Sequence, residues 1–289
     1  MIKLKKIFIF SLLLSIIILV SSCGCNIGNM HSQNTEESTT IAETLYQIIP
    51  KSADELIVFL HAGGSDNGMT HLNAQETFLE YYSQGYRYFE YDLKLSSDGR
   101  IIATHEWEYL NVEDQDNITY DEFKSLRLEN GYTPANEEWI MDTIRLYPDV
   151  RFIIDAKMDT DEGDAAVLIR LEELERIYEM DISENIIPEV FSKEMWEIVK
   201  ESTSFDRYLF SHYKVYYTVD MMLEYFSDPG IWGISLPLYT DSDIRSQIYR
   251  LKENKQIFVF TPQNPGEIVD AALMGADGVY LDFTSYINK

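Results

Sequence analysis

Cysteine is almost missing from this 289-residue chain: the only two, Cys23 and Cys25, lie near the N-terminus. With no cluster of Cys and His elsewhere, a structural zinc site has little to be built from. Basic residues are scarce as well, 23 Lys and Arg against 49 Asp and Glu, for a net charge of −26. That balance argues against nucleic-acid binding, because such affinity rests on Lys and Arg neutralising phosphates. Solubility accounts for most of the acidity. An acidic enzyme that acts on an anionic substrate, however, needs a local cation, so the deficit of bases makes a metal site more plausible. No internal repeat of short period runs through the sequence.

Long apolar runs are limited to one, from Ile7 to Val20, preceded by Lys3, Lys5 and Lys6. It is too short for a comfortable bilayer span and the right length for the core of a secretory signal. The residues Val20-Ser21-Ser22-Cys23 resemble the lipobox of bacterial lipoproteins, which implies cleavage before Cys23 and lipid on its sulfur. The mature protein is then extracytoplasmic, anchored to the bacterial cell membrane through Cys23. Loss of the three leader lysines takes the net charge from −26 to about −29. Once Cys23 carries lipid, Cys25 has no partner for an internal disulfide. Residues from Gly24 to about Ala53 are rich in Asn, Ser, Thr and Glu and read as a flexible tether. The organisation expected is a signal peptide over 1–22, a tether over 23–53 and one large α/β domain over 54–289.

From Leu56 onward, short β-branched and aromatic runs alternate with amphipathic ones. The expected strands are Leu56–Leu60, Tyr88–Leu95 with an extension Ile101–Thr104, Arg151–Ala156, Ile186–Phe191, Tyr208–Ser211, Gly233–Leu236, Ile257–Thr261 and Gly278–Leu281. Helix-like segments between them are Ala74–Ser83, Glu138–Leu146, Asp164–Tyr178, Lys193–Glu201, Val219–Phe226, Asp241–Glu253 and Pro265–Met274. Pro265 at a helix start, Gly275 after its end, and Ser192 ahead of Glu194 supply the punctuation. Eight strand–helix units predict a closed (β/α)8 TIM barrel.

Polar residues stand at the ends of several of these strands: His61, Glu90, Asp92, His105, Asp155 and Lys157. In such a barrel they converge on one mouth, the place where catalytic groups gather. Glu90 and Asp92 are two apart on a strand, so both carboxylates share a face and can join Asp155 around one hard cation. An all-oxygen set suits Ca²⁺ or Mg²⁺. His61 and His105 are the candidate general acid and base. Lys157 shares a face with Asp155 and offers a positive charge to a phosphate oxygen; its structural alternative is an ion pair with those carboxylates. Trp107, close behind His105, is the best candidate among the tryptophans to line the pocket. His212, at another strand end, reads as lining the mouth or as packing, and His71 and His31 read as solvent-exposed.

Taken together, these residues resemble the glycerophosphodiester phosphodiesterases, relatives of phosphatidylinositol-specific phospholipases C. The likeness rests on His61-Ala62-Gly63-Gly64, Asn73, Phe89-Glu90-Tyr91-Asp92, Ser97-Asp98-Gly99, Thr104-His105-Glu106, Ile154-Asp155-Ala156-Lys157 and the run Gly275 to Asp282. The resemblance implies a phosphodiester hydrolase with a divalent cation on Glu90, Asp92 and Asp155 and proton transfer by His61 and His105. The chain departs from the family pattern at three places. Ala62 stands where an Arg usually grips phosphate, Asp155 where Glu is usual, and Glu189, a substrate-binding position, where a neutral Gln is common. The second reading is therefore a catalytically silent lipoprotein that binds a headgroup or wall polymer.

Overall fold

The computed structural model describes residues 55–105, 107, 109–238, 250–252 and 255–282. The expected signal peptide, Cys23, His31 and the tether lie outside the described residues, as does most of the expected helix Asp241–Glu253. The strands are β1 (Ile57–Leu60), β2 (Tyr88–Leu95), β3 (Ile101–Ala103), β4 (Arg151–Ala156), β5 (Ile186–Val190), β6 (Tyr208–Ser211), β7 (Ile231–Pro237), β8 (Gln256–Phe260) and β9 (Gly278–Leu281). Helices are α1 (Gln75–Ser83), α2 (Tyr120–Ser125), α3 (Glu137–Leu146), α4 (Asp161–Tyr178), α5 (Lys193–Ser202), α6 (Val219–Tyr225) and α7 (Pro265–Leu273).

Every neighbouring pair among β1, β2 and β4 to β9 is parallel, and β1 pairs with both β9 and β2, which closes the ring. The eight-stranded (β/α)8 barrel read from the sequence is thus the fold. The extension β3 is not a barrel stave: it turns back antiparallel on β2, pairing Leu93 with Ala103.

Local chemistry explains the frame. Ser192, Thr160 and Asn136 accept hydrogen bonds from the backbone N–H groups of Met195, Gly163 and Trp139, satisfying donors that a helix start leaves open. Along β2, Phe89, Tyr91 and Leu93 pack outward into the main core beneath the helices. Tyr88, Glu90 and Asp92 occupy the opposite face, as a period of two requires. That opposite face is the lumen. Phe59, Ile153, Ile187, Leu209, Phe258 and Tyr280, with Tyr88 and Trp232, fill it as a separate apolar cluster. Phe59 stacks on Phe258 at 4.6 Å between ring centroids and takes the edge of Tyr280 at 4.8 Å. The lumen is a packed core and not a pore, and in such barrels the C-terminal end of the strands is where a ligand is held.

Candidate active site

Two residues beyond the lumen plug, the same faces turn polar. His61 follows Phe59, Glu90 and then Asp92 follow Tyr88, Asp155 and Lys157 follow Ile153, and Glu189, Ser211 and Asp282 follow Ile187, Leu209 and Tyr280. A cavity of about 190 Å³ opens there, lined by His61, Glu90, His105, Asp155, Lys157 and Glu189, with Tyr213, Phe260 and Tyr280 forming an aromatic wall.

The turn after β1 fixes the first carboxylate. Ala62 sits at φ 45°, ψ 42°, an uncommon left-handed conformation for a residue with a side chain, and its N–H reaches Glu90 Oε2 at 2.5 Å. Gly63 and Gly64 continue the turn at φ 73° and 96°, and a Cβ on Gly64 would run into the Tyr81 ring. Asn73 clamps the second carboxylate: its Nδ2 donates to Asp92 Oδ2 at 2.9 Å, and its Oδ1 accepts from the Asp92 N–H at 2.9 Å. Asp155 lies beside Asp92 in register on β4. The hydroxyl of Tyr213 donates to Asp155 at 3.1 Å, and Lys157 Nζ lies 2.5 Å from Asp155 and 3.3 Å from Asp92.

These buried charges perturb one another. Burial first, then Asp92, Asp155 and Glu189, holds the Glu90 carboxyl well above its ordinary range. Burial also pushes Asp92 upward, but Lys157, His105 and His61 together pull it below its usual value. For Asp155 burial wins over Lys157 and the carboxyl is raised. Although desolvation works against the Lys157 ammonium, Asp155 and Asp92 hold it firmly charged.

Glu90, Asp92 and Asp155 each present an oxygen within 4.8 Å of the others. Among the described residues no hydrogen bond reaches the buried Glu90 Oε1 or Asp92 Oδ1, the latter having only the Lys157 ammonium at 3.3 Å, although such atoms ordinarily have partners. Among the described residues only the Lys157 ammonium is in contact with these three carboxylates, which leaves negative charge uncompensated in a desolvated site. This donor set fits a hard divalent cation, since a cation supplies the missing partners and cancels the mutual repulsion.

Both expected histidines reach the cavity. His61 Nδ1 is 2.6 Å from Asp282 Oδ1, and a carboxylate so close assigns the ring proton to Nδ1 and leaves Nε2 as the acceptor. Asp282 is held below the usual carboxylate range: burial opposes this, and the His61 hydrogen bond overrides it. Sequence reasoning missed Asp282 as a site residue, yet the signal was there. Phe59 pairs with Tyr280 across β1 and β9, so the residues two further on, His61 and Asp282, must be neighbours.

His71 corrects an expectation. It is not simply solvent-exposed: its half-buried ring stacks on His105 at 4.5 Å and meets His61 edge-on at 4.8 Å. Burial first, then His61 and His105, lowers its pKa. Trp107 does not line the cavity; it packs edge-on against Phe123 at 6.2 Å in an outlying apolar cluster. His212 does not line it either, and accepts the Tyr217 N–H at 2.8 Å. Glu189 does. It takes the Tyr280 hydroxyl, and burial followed by Asp155 pushes its carboxyl up to about 8.

Residues 61–285 match the family model described as the glycerophosphoryl diester phosphodiesterase family. Among solved structures, the chain is similar to a glycerophosphoryl diester phosphodiesterase from Parabacteroides distasonis, with 18% identity, 83% of this chain and 88% of the other covered, and a TM-score of 0.60. A second is the Thermotoga maritima glycerophosphodiester phosphodiesterase, with 19% identity, coverage of 78% and 94%, and a TM-score of 0.61. A third is an Oleispira antarctica phosphodiesterase in complex with the product sn-glycerol-3-phosphate, with 16% identity, coverage of 81% and 96%, and a TM-score of 0.65. At such identities the three speak to the fold. No curated protein matches the sequence.

Proposed function

As a chain that belongs to the glycerophosphoryl diester phosphodiesterase family, this protein is a phosphoric diester hydrolase, and we propose that it cleaves glycerophosphodiesters using His61 and His105 as its proton-transfer pair. The observation that carries this reading is the meeting of two imidazoles and three buried carboxylates on one cavity. The family is typically metal-dependent. A Ca²⁺ or Mg²⁺ held by Glu90, Asp92 and Asp155 would polarise the phosphoryl oxygens and offset the charge of the transition state.

The remaining steps belong to the protein's own groups. His61, with Nδ1–H given to Asp282, accepts at Nε2 the proton of the attacking hydroxyl, either water or a hydroxyl of the substrate glycerol. Asp282 fixes the tautomer and steadies the imidazolium that forms, the part a buried carboxylate plays behind a catalytic histidine. His105 gives its proton to the leaving alcohol oxygen. Lys157 bridges Asp92 and Asp155 and sets a positive charge beside the phosphate. Burial holds the Glu189 carboxyl up, toward the neutral form that does not repel an anionic substrate, so it answers to the Gln usual at its position. At about 190 Å³ the cavity is smaller than the roughly 300–1,000 Å³ of drug-sized sites. It suits a phosphate and one small alcohol, with the second substituent at the rim. Trp107, which does not line this cavity, is left out of substrate binding. Lipid on Cys23 would present the enzyme at the outer face of the cell membrane.

The test is release of phosphate product from a panel of glycerophosphodiesters, intact phospholipids and teichoic-acid fragments, with and without divalent cation. We expect hydrolysis of the small diesters that chelation abolishes. Full activity in chelator, or cation binding with no hydrolysis of any diester, would remove the mechanism. The second outcome would restore the silent-binding reading, which Ala62 favours by leaving no guanidinium for the phosphate.

A further inference from the structure

Among the described residues, His71 is the one histidine at the mouth that the proposed reaction does not use. The loop after β1 carries it at φ 55°, wedged between the His61 and His105 rings. Its Nε2 is 3.9 Å from Asp282 Oδ1, the same oxygen that receives His61 Nδ1 at 2.6 Å. Two imidazole nitrogens and a carboxylate oxygen therefore converge, all within 4.8 Å of one another. The three side chains keep 20%, 35% and 12% of their surface exposed for His61, His71 and Asp282, so an ion from solvent can reach them.

The chemistry of this set differs from that of the oxygen cluster next to it. Two His and one Asp form the three-ligand arrangement that borderline-soft ions of the zinc class take, with a fourth position left open. Tetrahedral ligands at zinc distances lie about 3.3 Å apart. The His61–Asp282 contact at 2.6 Å would widen and the His71–Asp282 distance of 3.9 Å would shrink by similar amounts, within reach of side-chain rotation.

We propose that His61, His71 and Asp282 form an inhibitory site for a divalent cation of the zinc class, separate from Glu90, Asp92 and Asp155. Neutral His61 coordinated through Nδ1 must carry its proton on Nε2. The proton passes between the two nitrogens through solvent and none is gained or lost. His61 is then locked in the tautomer that cannot accept a proton, and Asp282 is drawn from the imidazole to the ion. Inhibition rests on His61 being the base in the reaction proposed above; binding does not.

The test uses the mature full chain in saturating Mg²⁺, with Co²⁺ as a visible-spectrum probe and Zn²⁺ as its competitor. We expect one Co²⁺ with the ligand-field bands of a nitrogen–oxygen site, displaced by Zn²⁺. His71→Asn suits the positive φ, since Asn tolerates that conformation better than most residues. It should weaken both ions by roughly tenfold or more, at least the loss that removing an outer partner of a metal ligand produces. Turnover without Zn²⁺ should be unchanged, and the Zn²⁺ concentration needed for inhibition should rise by the same factor as the binding constant. Unchanged Co²⁺ affinity in His71→Asn, or affinity lost in Glu90→Gln instead, would overturn the site. Zn²⁺ bound at His71 with turnover unaffected would overturn its inhibitory role. A wild type with no turnover would count against the hydrolase reading alone, because the Co²⁺ titration decides the site without it.

Discussion

In the lumen the Phe258 and Tyr280 rings lie 4.6 and 4.8 Å from that of Phe59 between centroids, while two residues further along the chain from each, His61, Phe260 and Asp282 stand at the mouth. The two layers obey opposite rules. In the plug, buried surface is apolar and each ring gains contacts from its neighbours. At the mouth, Glu90 Oε1 is buried with no hydrogen bond among the described residues, at a cost of about 1–3 kcal/mol, and Asp92 Oδ1 has only the Lys157 ammonium at 3.3 Å. Stability is concentrated in one layer and chemistry in the other, and the period of two along a strand lets a single stave serve both.

The sharpest way to separate the layers is to damage one and watch the other. His61→Ala and His105→Ala should each lower kcat by roughly 10²- to 10⁴-fold, the share of a general acid or base, while thermal melting stays near that of the wild type. Two folded variants with near-normal turnover would take both residues out of the mechanism. In the plug the effect should invert: Phe258→Ala removes a fully buried ring and should lower unfolding free energy by about 3–5 kcal/mol without changing divalent-cation affinity in the folded protein. Denaturant melts and cation calorimetry measure the two sides.

Glu189 tests the boundary between them. Its folded pKa of about 8 lies above the ordinary 4.5, so the folded state keeps a proton that the unfolded chain releases. In chelator its contribution to stability is complete below about pH 4.5 and is lost as pH rises through about 8. Glu189→Gln should flatten that part of the melting temperature against pH; an unaltered slope would mean that the carboxyl is not protonated as inferred. The smallest effect belongs to Trp107→Phe, which should leave KM where it is. A raised KM would bring Trp107 back to the substrate.

The barrel and most of its site were legible because both depend on local periodicity. β4 was read at its true bounds, Arg151–Ala156, and the carboxylates of β2 followed from alternation. β7 starts at Ile231, before Gly233, because a glycine that reads as a boundary is only a small residue that accommodates the Phe258 ring. Helix α2 was not foreseen, although Thr119 and Glu122 form the capping box that announces it. His71 was out of reach for a different reason: left-handed turns at Asn67, His71 and Asn73 fold its loop back over the mouth, and no pattern of apolar residues encodes that path.

The antiparallel turn of β3 has a dynamic consequence. His61 is fastened directly to the closed ring, whereas His105 follows a short strand paired antiparallel with β2, at the root of an excursion whose Leu110, Ile118, Tyr120, Phe123 and Leu128 pack with Ile102 and with Leu72 and Ala74 of the loop after β1. Ring and excursion are suited to open as separate cooperative units, with the ring the last to exchange its amide hydrogens. Warming should therefore carry one imidazole away from the other before the staves part, so that the molecule falls silent while still folded and recovers on cooling.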